Sequence, residues 1–511
     1  MSFAADRRWA AGLLVAALAL ALFHGLSFGL CLQDDAFISL RYSRNLAEGL
    51  GLVYNPGERV EGFTNMLWTL LLTLPFRLRF DPISFTRVVG IASGMSAVAA
   101  AFFLARRLEP EQPLAASAAA GLVASLPFFM AESAMGLETA AFAALAAAGV
   151  AQHLREEEDG RGRGWLGGAI LAAAAWTRPE GLLVAGVLGL ADLLRGSRTR
   201  RLSPCFLPRW ITFAAAAGPL FAFRWLYYGD LVPNTARAKV GGGLAAVARG
   251  IDYLFSFGLA ALPLLLAAAV GAFFLFAGAR RRWIWPTLVI PLFYLIYVTI
   301  VGGDYKPTFR FFATPAVFFA ALAGVGLARA ARALRSNILP FPVLLGGTLV
   351  IGGVLFSLGS DVRGFAAWRA AQLPVHRAAG RWLGDHFPAE SWLATGNAGV
   401  LPYESGLPTI DMYGLCDRHI AMREMPAMGH GAPGHEKGDG SYVLERRPTV
   451  ILFQFARFTD SPASIEQIGR LRMSVSEREI WADPRFLQHY DLRSARLPGF
   501  YFNYFQKKLQ P

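Results

Sequence analysis

The chain has 511 residues, of which 54% are hydrophobic and only 17% charged, with a formal net charge of +13. Several apolar runs approach the ~20 residues that cross a bilayer, which excludes an ordinary soluble domain. The positive charge does not signal nucleic acid, because the arginines cluster in short loops between apolar runs, as cytoplasmic membrane loops do.

Asp6-Arg7-Arg8 opens the first run, 10–30. The run is long and lacks a small-x-small cleavage site before Cys31, so it reads as an uncleaved first span with a cytoplasmic start. Further spans are expected at 84–105, 113–131, 138–153, 164–177, 180–194, 209–228, 253–278, 283–301, 309–331 and 338–358. The stretch 63–80 is a further candidate. If it crossed, the basic clusters at Arg106-Arg107, Arg155 to Arg163, Arg195 to Arg201, Arg280 to Arg282 and Arg329 to Arg335 would not share a side with Arg7-Arg8. Laid on the outer face as an interfacial helix, it puts them all inside. The expectation is a polytopic α-helical membrane protein of about 11 transmembrane helices, 1–359, with outer loop 31–62. Proline in Thr177-Arg178-Pro179-Glu180-Gly181 breaks the chain there, as a hairpin apex near the outer face or a re-entrant pair.

From 360 to 511 the composition turns polar and amphipathic. Val375, Ala379, Trp382 and Leu383 share a helical face. Trp392 to Thr395 and Thr449 to Phe453 read as buried strands, and Gly499 to Phe505 as a closing strand. This predicts a C-terminal α/β domain outside the membrane.

With that topology the outer loops mix acids and bases. They hold Asp34, Asp35, Arg41, Tyr42, Arg59, Glu61 and Asn65; Glu132 and Glu138; Arg178 and Glu180; Tyr228, Asp230, Asn234, Arg237 and Lys239; and Asp304, Tyr305, Lys306 and Arg310. One such loop alone would be a solvated face, but five sharing one membrane face point to a common site. The inner loops read as generic arginine stops. Cations beside the outer leaflet suit a lipid phosphate, with Lys239, Arg310 and Arg178 as candidate holders. An aspartate suits a general base, and pairing Asp34 with Asp35 raises one pKa. Cys31, Cys205 and Cys416 have no metal-ligand spacing and are too few for a disulfide framework. The histidine spacing is irregular, so no metal site is assigned, and a need for a divalent ion stays open.

Gln33-Asp34-Asp35-Ala36-Phe37-Ile38-Ser39 and Asn55-Pro56-Gly57-Glu58-Arg59-Val60-Glu61-Gly62-Phe63-Thr64-Asn65 resemble the opening motif of the GT-C superfamily of polyprenyl-phosphate-sugar glycosyltransferases. Glu132 to Thr139, Thr177 to Gly181, Pro233-Asn234-Thr235 with Lys239, Gly302 to Tyr305 with Arg310-Phe311, Asn397 to Gly399, Asp411 to His419 and Gly434 to Gly440 extend the likeness. Together they resemble the terminal β-1,2-arabinofuranosyltransferases of actinobacterial cell-wall arabinan.

The resemblance implies a GT-C fold, an interfacial helix after the first outer loop and a catalytic base at Asp34 or Asp35. Asp34 is the first choice, with Asp35 sharing the pocket. Expected donor phosphate and sugar contacts are Arg41, Tyr42, Arg59, Glu61, Asn65, Glu138, Arg178, Asn234, Lys239, Asp304, Tyr305 and Arg310. Expected acceptor contacts are Asn397, Asp411, Asp417, Arg418, His419, His435 and Lys437. The expected reaction is an inverting transfer of a pentose, D-arabinofuranose, from a polyprenyl phosphate to an envelope glycan, glycolipid or protein. It takes place at the outer face of a bacterial inner membrane, without a cofactor. The alternatives are a lipid-linked sugar transporter or flippase, which the Pro179 break favours and the lack of repeats opposes, and a non-catalytic envelope assembly protein.

Overall fold

A computed structural model describes residues 3–278, 281–333, 347–348, 351–352 and 359–508. Six described helices are long and apolar enough to cross a membrane: Arg8–Ser27, Pro82–Leu108, Phe206–Tyr228, Gly243–Ala260, Trp283–Ile300 and Arg310–Ala333. The expected 113–131 span is instead a pair, Pro113–Ala124 and Pro127–Ala134, bent by 64°. Pro127 starts the second piece, where its missing N–H costs nothing but the preceding helix cannot continue. Counting this pair as one span gives seven among the described residues. The expected 253–278 span is also divided, into Gly243–Ala260 and Leu262–Ala277. Pro263 lies in the first turn of the second piece, and the first begins ten residues earlier than expected. Most of the expected 338–358 span, with Arg280 and Arg335, lies outside the described residues.

The 63–80 stretch folds as Met66–Leu71 and Leu74–Leu78, too short to cross. The helices Trp165–Thr177 and Gly181–Thr199 stop on either side of Arg178-Pro179-Glu180. Small residues let the membrane helices approach closely, as expected where no hydrophobic effect drives helices together. A Cβ at Gly271 would lie 1.9 Å from the Leu322 carbonyl oxygen, and one at Gly326 would lie 2.4 Å from that of Ala267. At the far end from the candidate site, Arg209 is 0% exposed and pairs with Glu156 (3.0 Å), Glu157 (3.1 Å) and Asp192 (2.8 Å). That end holds a buried ionic clamp beside the expected arginine clusters.

The helix Ser360–His386 leads into a mixed sheet of β1 (Leu393–Thr395), β2 (Thr409–Asp411), β3 (Val450–Ile451), β4 (Phe458–Thr459), β5 (Tyr490–Leu497) and β6 (Phe500–Lys507). The order is β2-β1-β3-β6-β4, with β5 on the other edge of β6. β1 runs parallel to β2 and β3, and β6 runs antiparallel to its partners. Ala394, Ile410, Ile451, Phe453, Phe486 and Phe505 form its core.

This domain is fastened to the membrane half through the first outer loop. Arg41, 2% exposed, donates to the carbonyls of Tyr54 (2.8 Å), Pro402 (2.6 Å) and Leu407 (2.8 Å). The Tyr54 hydroxyl donates to the Ala398 carbonyl at 2.6 Å. Asn55 pairs with the Thr409 backbone in both directions at 2.9 Å.

Candidate active site

The acid pair opens the helix Asp34–Ala47, where carboxylates are favoured by the exposed N–H groups and the dipole. The two side chains face different partners. Asp34 accepts from the backbone N–H of Gly399 and of Val400, each at 3.0 Å. These N–H groups belong to the first turn of the helix Val400–Ser405 and to its N-cap, so Asp34 caps an outer-domain helix. Asp35 instead faces cations, with Oδ2 3.2 Å from Arg310 Nη1 and 3.4 Å from Lys306 Nζ. Burial pushes Asp35 upward, but Lys306, Arg310 and Lys239 outweigh it and hold the carboxyl well below the usual carboxylate range.

Second contacts fix these cations. Arg310 Nε lies 2.8 Å from Asp304 Oδ2, a charge contact whose N–H is not aligned for a hydrogen bond. Lys306 also donates to Gln33, whose amide donates to Glu132 at 3.2 Å. Lys239 makes no hydrogen bond or ion pair among the described residues, and burial lowers its pKa.

Two cavities, of about 380 and 470 Å³, share Asp35, Lys239, Asp304 and Arg310 as lining. The first runs among the membrane helices past Phe63, Leu182, Phe221, Val298 and Phe311. The second opens toward the outer domain past Asn397, Tyr413, Gln454 and Arg457. About a third of the Asp35 side chain (34%) stays open, toward these cavities.

The remaining expected residues divide. Asn65, Glu138 and Arg178 line the first cavity as one network. Asn65 donates to Glu138 at 2.8 Å, and Arg178 bridges Glu138 (2.6 Å) and Glu180 (2.7 Å). Tyr305, Asn397 and His435 line the second. His435 packs edge-on against Tyr413 and Tyr305, and burial lowers its pKa.

Others do not line either cavity themselves and hold structure. Arg41 is fully engaged in docking. The Tyr42 hydroxyl joins the Val60 carbonyl (2.6 Å) and the Gly62 N–H (2.8 Å). Arg59 is exposed against the Tyr227 ring. Glu61 grips Arg224 at 2.9 and 3.1 Å, and burial pushes it up to about 7 despite that arginine. Asn234 donates to the Gly414 and Leu415 carbonyls at 2.9 and 3.0 Å.

In the outer domain, Asp411 accepts from the Tyr413 (3.0 Å) and Cys416 (2.7 Å) N–H groups. Asp417 caps the helix Arg418–Met422. Arg418 is exposed outside both cavities, and His419 stacks on Tyr442 beside Asp439. Lys437 donates to the Ala421 and Arg423 carbonyls. These residues do not line the second cavity; they hold the turns beside it. Among the described residues no cluster of His, Cys, Asp and Glu could hold a metal ion.

The sequence places Lys306 in the fifth outer loop without a donor contact of its own, although it lies between Tyr305 and Arg310. Arg369, His376 and Arg457 carry no motif, and only the fold brings them to the second cavity.

A domain family of unknown function (DUF8728) matches residues 364–497. A terminal β-(1→2)-arabinofuranosyltransferase of Mycobacterium tuberculosis (strain ATCC 25618 / H37Rv) is 29% identical over 380 residues, 69% of this chain. The match spans 55% of that relative's length. The crystal structure of ArnT from Cupriavidus metallidurans bound to undecaprenyl phosphate is similar with a TM-score of 0.56 at 14% identity, over 78% of this chain and 85% of that one. The archaeal oligosaccharyltransferase AglB from Archaeoglobus fulgidus, in complex with an inhibitory peptide and a dolichol-phosphate, gives a TM-score of 0.57 at 12% identity. That match covers 97% of this chain and 74% of AglB. The chain thus has the GT-C membrane fold with a C-terminal sheet domain, and is similar in sequence to a terminal arabinofuranosyltransferase.

Proposed function

We propose that this chain transfers a pentose, arabinofuranose, from a polyprenyl phosphate to an envelope acceptor at the outer face of the inner membrane, with Asp35 as general base. The observation that carries this reading is the position of Asp35, at the junction of an apolar membrane cavity and a polar outer chamber and beside two cations. The sugar identity rests on the likeness to the arabinofuranosyltransferase.

In the reaction, Asp35 takes the acceptor hydroxyl proton. The acceptor oxygen bonds to the anomeric carbon, the bond from that carbon to the phosphate oxygen breaks, and its electron pair leaves with the polyprenyl phosphate. One displacement inverts the centre. The phosphate gains a negative charge, which Lys306, Arg310 and Lys239 stabilise. The same phosphate draws Lys306 and Arg310 away from Asp35. Without them the carboxyl's pKa rises and it becomes a competent base only when the donor is bound.

Asp34 is unsuited to this role because both of its oxygens already accept backbone N–H groups. Asp35→Asn is expected to lose about 10²–10⁴-fold in transfer from a radiolabelled polyprenyl-phosphate pentose, while undecaprenyl phosphate still binds in nanodiscs. Near wild-type transfer by Asp35→Asn would remove Asp35 as the base.

A further inference from the structure

The outer chamber holds two buried arginines that the transfer step leaves unused. Arg369 and Arg457 are 8% and 7% exposed, and both line the chamber. Arg457 donates to the Gln454 carbonyl at 2.7 Å and to His376 Nε2 at 3.0 Å. An arginine cannot accept, so His376 is neutral there, with its Nδ1 proton on the Gln372 carbonyl at 2.8 Å. Arg369 donates to the Leu32 carbonyl at 3.2 Å. Each arginine keeps a buried Nε without a hydrogen-bond partner, and among the described residues neither has a carboxylate within ion-pair reach. Asp34, whose charge acts on Arg457 from the chamber wall, is already taken by two N–H groups.

Burying two guanidinium groups without a counter-charge is costly. The chamber lining as a whole is cationic, with Lys239, Lys306, Arg310, Arg369 and Arg457 against Asp34, Asp35 and Asp304. A donor phosphate engages the first three cations and leaves the two outer arginines unneutralised. Polar and aromatic groups suited to a saccharide accompany them. Asn397 Oδ1 is a buried acceptor without a donor. Trp368, Phe455 and Tyr305 line the same chamber and are about half exposed, at 52%, 51% and 53%.

We propose that Arg369 and Arg457 form an anion subsite in this chamber and select a saccharide acceptor that carries a phosphate or carboxylate group. This rests on reading the chamber as the acceptor side of a transferase.

The test uses the full chain in nanodiscs and three probes: a hexose, its 6-phosphate and the matching hexuronate. Binding is read by calorimetry with and without saturating undecaprenyl phosphate, which fills the cations around Asp35. At least one anionic sugar is expected to bind about tenfold or more tightly than the neutral hexose, and the stronger of the two tells phosphate from carboxylate. The preference is expected to vanish in R369Q/R457Q and to persist in R369K/R457K, which keeps the charges and controls for folding. Equal binding of all three sugars by wild type would overturn the proposal, as would an unchanged preference in R369Q/R457Q. A preference lost only in K306Q/R310Q would overturn it too, by moving the anion to the donor side. The transferase reading fails separately, if wild type does not bind undecaprenyl phosphate, and the sugar comparison made without lipid still decides the anion subsite.

Discussion

Consecutive residues on a helix point about 100° apart, and that rotation gives the acid pair two jobs. Asp34 caps a helix of the C-terminal domain at the edge of the second cavity, with both oxygens engaged, whereas Asp35 lines both cavities and faces the cations. Arg41 follows Asp34 by seven residues, two helical turns, and therefore shares the docking face. His376 belongs to the same joint. It is neutral and accepts from Arg457, beside the Phe458 ring. Burial, then Arg457, pushes its pKa down to about 4, with Asp34 opposing and Arg369 adding to the shift. The sign follows from proton counting. Between the ordinary value of about 6.5 and about 4, the unfolded chain binds a proton that the folded chain refuses. Stability is therefore full above about 6.5 and is lost as the pH falls toward 4. His376→Gln keeps an acceptor for Arg457 but cannot titrate. Thermal scans from pH 7 to pH 4.5 are expected to show a smaller loss of melting temperature in this variant than in wild type. Equal losses would assign the acid sensitivity elsewhere. The acid pair was legible as a pair from adjacency and charge alone. Which acid faced the site was not, because that needs the helix start at Asp34 and the position of Gly399, 365 residues away.

At the scale of elements, hydrophobic runs located most membrane helices because burial in lipid demands length and apolarity. Breaks were harder to place. Pro127 and Pro263 divide runs that composition presents as continuous. Arginine parity, a global constraint, kept the 63–80 stretch from being counted as a span, and its two helices are too short to cross. Helix contacts depend on glycines whose roles composition does not separate. Gly271 faces the Leu322 carbonyl at a distance no Cβ tolerates, whereas Gly258 has nothing within 4 Å of a Cβ position. Gly271→Leu must push the helices Leu262–Ala277 and Arg310–Ala333 apart, and the latter begins at Arg310 beside Asp35. The expected outcome is a lower melting temperature in detergent and weaker undecaprenyl phosphate binding, while Gly258→Leu changes neither. Equal tolerance at the two positions would contradict this packing.

For the whole molecule, two groups of ionic contacts mark opposite ends of the same helices. Glu138, Arg178 and Glu180 meet at one end of the helices Thr139–Asp159 and Gly181–Thr199. Glu156, Glu157, Asp192 and Arg209 meet toward the other. The first end adjoins the cavity of Asp35 and the C-terminal domain, so the proposed site lies at one end of the membrane helices. The second carries the arginine-rich segment around Arg195 to Arg201, which the positive-inside bias assigns to the cytoplasm. The proposed outer-face reaction requires this arrangement, since its donor lipid would have to meet Lys306 and Arg310 on the side opposite those arginines. A reporter active only outside the cytoplasm is expected to work when fused after Lys508 and to fail when inserted at Arg200. A reporter active only inside is expected to show the reverse. Activity of one reporter at both positions would put the candidate site and the arginine-rich loops on the same side, and the proposed outer-face reaction would lose its topology.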